Sequence, residues 1–130
     1  LVAHRGLGRA AAQAEAAAML RRVGIADPEI AGRTEAVLPI IDRAVSTSGS
    51  YGFRFDAGAQ FNHLFDPRTG GCAHRYRSVT TVSRSATAAD ALSTAFSFMS
   101  EAEIRSLLSR VDLDRVHLVD EAGQSTELAA

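Results

Sequence analysis

Hydrophobic positions along the chain change their period several times, and each change marks an element. From Arg9 to Leu20 alanine dominates, with Glu15, Met19 and Leu20, a composition of high helix propensity that predicts a helix. Arg21 to Ala26 reads as a short strand stopped by Asp27-Pro28, because proline lacks an amide donor and restricts its predecessor. Glu35 to Ile41 is a second β-prone run, Asp42-Arg43 a turn, and Ala44 to Ser48 a third strand ending at Gly49. Tyr51, Phe53 and Phe55 alternate with Gly52, Arg54 and Asp56. After the turn residues Asp56-Ala57-Gly58-Ala59, the segment Gln60 to Phe65 alternates again, with Phe61, His63 and Phe65 on one face. This pattern predicts a β-hairpin.

Ser78 to Arg84, rich in valine and threonine, predicts a further strand. A helix follows from about Ala88 to Met99, with Leu92, Phe96 and Met99 as its buried stripe. Ser100 and Glu103 have capping-box spacing, and Ile104, Leu107, Leu108 and Val111 recur at helical intervals, so a second helix starts there. Arg115 to Val119 and Thr126 to Leu128 flank Glu121-Ala122-Gly123-Gln124 as a closing hairpin. Strands, two helices and strands again predict an α+β fold, an antiparallel or mixed sheet with helices packed on one face.

Length and composition then narrow the chemistry. The 130 residues suit one domain or part of a larger one, and the core is lean, since 24 residues are alanine and aromatics reach only 6%. A net charge of -1 provides no long-range field favouring nucleic acid or an anionic membrane. All 14 basic residues are arginine, which excludes a Schiff-base lysine, an amine nucleophile and a lysine-type phosphate loop in this chain. The lone Cys72 allows neither an intramolecular disulfide nor a thiolate zinc knuckle. No apolar run reaches the roughly 20 residues that span a bilayer. The chain opens at Leu1 without methionine and without a signal-peptide pattern. A fragment or processed chain is therefore expected, with the compartment open between bacterial cytoplasm and cell envelope.

Three strings carry candidate chemistry. In His63-Leu64-Phe65-Asp66-Pro67-Arg68-Thr69-Gly70, histidine can exchange a proton, aspartate can orient it, arginine can clamp an anion and the glycine turn can offer amides to phosphate. The same string also reads as an ordinary strand-to-turn junction. Asp90 and Thr94, four apart on one helix face, supply the oxygen ligands that Mg2+ takes. Thr87-Ala88-Ala89-Asp90 equally resembles a capping box, which would leave Asp90 a purely structural role. Thr47-Ser48-Gly49-Ser50-Tyr51 places hydroxyls around a glycine at a strand end, where a pyrophosphate could approach. Arg75 and Arg77 read as a solvated pair, and His4, His74 and His117 have no ligand spacing.

Taken in order, Ser46-Thr47-Ser48-Gly49-Ser50-Tyr51, the His-x-x-Asp-Pro-Arg-Thr-Gly string and Thr87-Ala88-Ala89-Asp90-Ala91-Leu92-Ser93-Thr94-Ala95 resemble the C-terminal half of the ApbE family of FAD:protein FMN transferases. Arg22 to Pro28, Ala36-Val37-Leu38 and Val116 to Asp120 extend the resemblance over residues 21–130. It implies that residues 1–130 correspond to the C-terminal part of such a domain, its N-terminal half absent, and that 1–20 is an atypical alanine-rich segment.

The activity implied is Mg2+-dependent transfer of the FMN portion of FAD to a threonine or serine hydroxyl of an acceptor flavoprotein, with release of AMP. In that reading Asp90 and Thr94 are metal ligands and His63 is the base for the incoming hydroxyl. Asp66 fixes the turn of the cofactor site and orients the imidazole, Arg68 and Thr69 line the nucleotide site, and Ser48 with Gly49 borders the flavin or phosphate pocket. The alternatives are a non-catalytic flavin- or nucleotide-binding or interaction module, and a hydrolase splitting FAD with water.

Overall fold

The computed structural model describes residues 10, 11, 14, 22–26, 30, 32–53, 55, 56, 58 and 60–129. The chain divides into two compact units, residues 1–42 and 43–130. In the first, Ala10, Ala11 and Ala14 are helical and exposed, and the remainder of the helix expected over Arg9–Leu20 lies outside the described residues. Strands β1 (Arg22–Ala26) and β2 (Thr34–Pro39) pair antiparallel, Val23 opposite Leu38, with an irregularity at Ile25/Ala26. Ile25, Leu38 and Ile40 are buried.

The second unit is an antiparallel sheet in the order β3 (Ala44–Gly49), β4 (Tyr76–Ser83), β5 (Arg115–Asp120) and β6 (Ser125–Ala129). Between β4 and β5 lie α1 (Ala86–Phe96), α2 (Glu101–Leu107) and a 3-10 turn, Leu108–Arg110. One face of the sheet presents Val79, Val116, Leu118 and Leu128, which form a core with Phe96, Ile104 and Leu108 of the helical layer. Leu92 and Met99 pack at its edge. Leu92 and Phe96 of the expected stripe lie on α1, which ends at Phe96 and not at Met99, so Met99 packs from the turn that follows; the α+β architecture with helices on one face is the fold observed.

Local chemistry sets the helix ends. Ser85 caps α1 by accepting from the Ala88 amide at 3.3 Å. Ser100 and Glu103 form the expected capping box on α2, with bonds of 3.3 and 2.7 Å. Thr81 Oγ1 donates to the Ala89 carbonyl at 2.6 Å, tying α1 to the central strand. At the β5–β6 turn Gly123 takes a positive φ of 79°, and the Asp120 carboxylate accepts from the Ala122 and Gln124 amides.

The segment between β3 and β4 departs from the expected hairpin. Among its described residues there is no strand element; Phe55 N donates to Phe61 O at 2.9 Å, and the Asp56 carboxylate accepts from the Gln60 and Phe61 amides, which closes a turn. Phe65 bridges to Cys72 instead, across the Asp66–Gly71 turn. A two-stranded ladder needs a buried face to persist. Phe53, Phe55, Phe61 and Phe65 are about half exposed, so that driving force is missing here.

Candidate functional site

Ser46 and Ser48 sit two apart on β3 and so project from the same face of the strand, separated by about 6.7 Å. Asp90 and Thr94, one turn apart on α1, are separated along the helix by about 6 Å. These spacings match, and the two elements meet pairwise. Ser46 Oγ donates to Asp90 Oδ1 at 3.0 Å, and Ser48 Oγ and Thr94 Oγ1 lie 3.0 Å apart in a hydrogen bond. Ser93, fully buried between them, bonds Ser48 Oγ at 2.8 Å and donates to the Asp90 carbonyl at 2.9 Å. On the opposite face of β3, Thr47 pairs with Thr80 at 2.8 Å.

Asp90 does not cap the helix. With Ser85 at the cap, α1 begins at Ala86 and no acidic residue occupies its first turn. The capping-box alternative required Thr87 at the cap, and the structure moves the start two residues upstream. The Asp90 side chain is exposed and turned toward the Ser46 hydroxyl. Among the described residues no three His, Cys, Asp or Glu side chains converge as a metal cluster. The oxygen set here is one carboxylate surrounded by hydroxyls, which fits the way Mg2+ is held, by one or two carboxylates with substrate phosphates completing its shell.

Gly49 closes the strand beneath the Tyr51 ring. A methyl group there would meet Tyr51 Cε1 at 2.5 Å and the Arg77 carbonyl at 3.1 Å, so a side chain would push the ring aside. The reason for glycine at this point is close approach, since the residue is part of an extended strand.

The second group is the turn after His63. Asp66 carbonyl accepts from Gly70 N at 2.7 Å and Thr69 N at 3.2 Å, Asp66 N donates to Gly71 O at 2.8 Å, and Gly70 adopts a φ of 71°, a conformation open to glycine. The Asp66 carboxylate is held by Arg68, through its amide at 2.9 Å, Nε at 3.0 Å and Nη2 at 2.9 Å. Asp66 thus secures the turn, as expected, while its carboxylate makes no hydrogen bond to the His63 imidazole among the described residues. His63 is exposed, and its Nδ1 lies 3.4 Å from the Phe53 carbonyl. A carbonyl only accepts, so the bond requires Nδ1–H, which leaves Nε2 of the neutral ring with its lone pair.

Side-chain hydrogen bonding from Arg68, reinforced by its amide and its charge, holds the Asp66 carboxyl below the usual aspartate range. A depressed folded-state pKa stabilises the turn above the ordinary value of about 3.9. That contribution disappears as pH falls through the lowered value. Arg68→Gln is expected to move the Asp66 titration midpoint upward, toward the ordinary value, read by carboxyl-carbon NMR; an unchanged midpoint would show that the backbone alone sets it.

Asn62 was not singled out by sequence reasoning, yet it secures both sides of this turn. It is 1% exposed; its amide nitrogen donates to Ala73 O at 2.9 Å and its amide oxygen accepts from Leu64 N at 2.9 Å. Asn62→Ala leaves two backbone groups short of a partner, and an expected loss of about 2 kcal/mol is measurable by urea unfolding. Its place between Phe61 and His63 in an alternating segment gave no sequence hint of this role. Ser46 and Ser93 stood in the sequence only as members of longer strings, because the contacts that join β3 to α1 through them span 44 and 47 residues.

A cavity of about 210 Å3 lies between this turn and the end of α1, lined by Asp66, Thr69, Cys72, His74, Arg75 and Ser97 among others. Ligand pockets usually exceed roughly 300 Å3, so it is too small to enclose a dinucleotide. Thr69 borders it, whereas Arg68 folds back onto Asp66. No hydrogen bond joins the His63–Gly70 group to the Asp90–Thr94 group among the described residues. No described helix is long and apolar enough to cross a membrane.

Solved structures that resemble this chain include three ApbE proteins. The ApbE protein of Thermotoga maritima matches with a TM-score of 0.71 at 28% identity, over 81% of this chain and 35% of that one. The flavin transferase ApbE of Vibrio cholerae matches with a TM-score of 0.61 at 27% identity, over 84% and 35%. The apo form of the flavinyl transferase ApbE of Pseudomonas stutzeri gives 0.58 at 25% identity, over 83% and 34%. The chain thus spans about a third of the length of these relatives. No curated protein matches it in sequence. The profile of the ApbE family matches residues 5–118, and the chain belongs to that family.

Proposed function

We propose that this chain is the C-terminal part of a flavin transferase domain that moves the FMN portion of FAD to a threonine or serine hydroxyl of an acceptor protein, with Mg2+ and with release of AMP. Family membership and the flavin transferase relatives support flavin transfer as the class of reaction. The observation that carries the finer reading is Asp90, free of the helix cap and paired with Thr94 on a face lined by serine hydroxyls.

The reaction is phosphoryl transfer, in which positioning and charge neutralisation supply most of the catalysis. The acceptor oxygen forms a bond to the FMN-side phosphorus as the bond from that phosphorus to the bridging oxygen breaks, and AMP leaves with that oxygen. The hydroxyl proton passes to His63 Nε2, the nitrogen whose lone pair the Phe53 carbonyl contact leaves available. Asp90 and Thr94 would hold Mg2+, and neutralisation of pyrophosphate charge is the chemistry it would supply. The Asp66–Gly70 turn and the Ser48–Gly49 strand end border the nucleotide and flavin.

The test is incubation of the chain with FAD, MgCl2 and a threonine-bearing acceptor protein, followed by intact-mass analysis. A flavin-sized mass increase with stoichiometric AMP supports the reading. FAD binding without transfer would replace it with a binding module, and AMP release without acceptor would identify a hydrolase.

A further inference from the structure

The hydroxyls between β3 and α1 form a directed chain whose polarity follows from counting protons. Each hydroxyl has one hydrogen to give. Ser93 gives its hydrogen to the Asp90 carbonyl at 2.9 Å; a longer contact, 3.5 Å, would give it to Ser46, and either use spends it. The 2.8 Å bond between Ser93 and Ser48 therefore takes the Ser48 hydrogen. The 3.0 Å bond between Ser48 and Thr94 then takes the Thr94 hydrogen. Thr94 is left with its hydrogen directed inward and its remaining lone-pair capacity away from Ser48. Beside it, Ser46 spends its hydrogen on Asp90 Oδ1 at 3.0 Å and fixes that carboxylate.

We infer that Ser46, Ser48 and Ser93 are positioning residues for a divalent cation. Ser46 orients the carboxylate of Asp90. Ser93, acting through Ser48, prevents Thr94 from presenting a hydrogen to the metal. Ser93 is 0% exposed and so reaches no ligand itself, which leaves it this indirect role. The inference rests on the reading of Asp90 and Thr94 as metal ligands, and it adds what sets their orientation before a metal arrives.

Mn2+ alone, a cation that takes the same oxygen ligands, is the probe, titrated into the full chain and followed by its EPR signal. Ser46→Ala and Ser93→Ala are each expected to bind it about tenfold more weakly, the usual effect of removing a group that orients a ligand. Ser46→Thr, which keeps the hydroxyl, restores the affinity. Thr47→Ala, which breaks the Thr47–Thr80 pair on the opposite face, leaves it at the wild-type value. A metal-free readout accompanies the titration: the Asp90 Hα–Hβ couplings, which report one rotamer in the wild type, average in Ser46→Ala.

Wild-type binding that neither alanine variant weakens overturns the inference and leaves the metal reading intact. Equal weakening by Thr47→Ala overturns it too, as general loosening of the sheet. A wild-type chain that takes up no Mn2+ overturns the metal reading and this inference with it. Should Ser93→Ala fail to fold, the half-buried Ser46 carries the test alone.

Discussion

Asp90→Asn lowers Mg2+-supported FMN transfer by roughly a hundredfold or more in the expected outcome, while the thermal midpoint moves by no more than a few degrees. The two halves of that expectation have separate physical origins. Asparagine keeps an oxygen to accept from Ser46 Oγ, and position 90 lies past the first turn of α1, so neither the helix cap nor the contact with β3 depends on the charge. Mg2+ is a hard cation, and a neutral amide oxygen holds it more weakly than a carboxylate does. Initial rates across a series of Mg2+ concentrations, beside a melting curve for each protein, separate the effects. Retention of full activity would remove Asp90 from the metal site; loss of folding would return it to a structural role.

His63→Ala is expected to slow transfer by roughly 10²- to 10³-fold, the range in which a positioned base contributes, with FAD affinity little changed. The imidazole is exposed and makes one long hydrogen bond, 3.4 Å to the Phe53 carbonyl, so its removal opens no cavity and strands no buried group. Single-turnover rates and fluorescence titration of FAD measure the two quantities separately. Parallel loss of rate and binding would assign His63 to the shape of the pocket instead of to the proton.

Features governed by near neighbours could be read without coordinates. The apolar stripe of α1, the Ser100–Glu103 box and the glycine turn after Asp120 each depend on residues within a few positions, and the structure places all three as expected. The aromatic alternation from Tyr51 to Phe65 brought Phe53, Phe55 and Phe65 into ring contact but made no pair of strands among the described residues, for a physical reason. Period-2 patterning reports which side chains share a face, but a strand also requires a partner and something to cover that face. The Asp56 turn and the Phe65–Cys72 bridge take up the local hydrogen bonds instead.

Sequence alone determined the α+β class, the family resemblance and the sharing of one helix face by Asp90 and Thr94, because helical spacing places them there whatever surrounds them. It could not decide whether Asp90 capped the helix or faced a site, since both readings used the same residues. Tertiary structure excluded the cap by starting α1 at Ala86, and it laid the helix across β3, where Ser46 and Ser48 meet Asp90 and Thr94 in matched register. That match depends on the nearly equal advance of two strand residues and one helical turn, a condition met only once two segments more than forty residues apart are packed together.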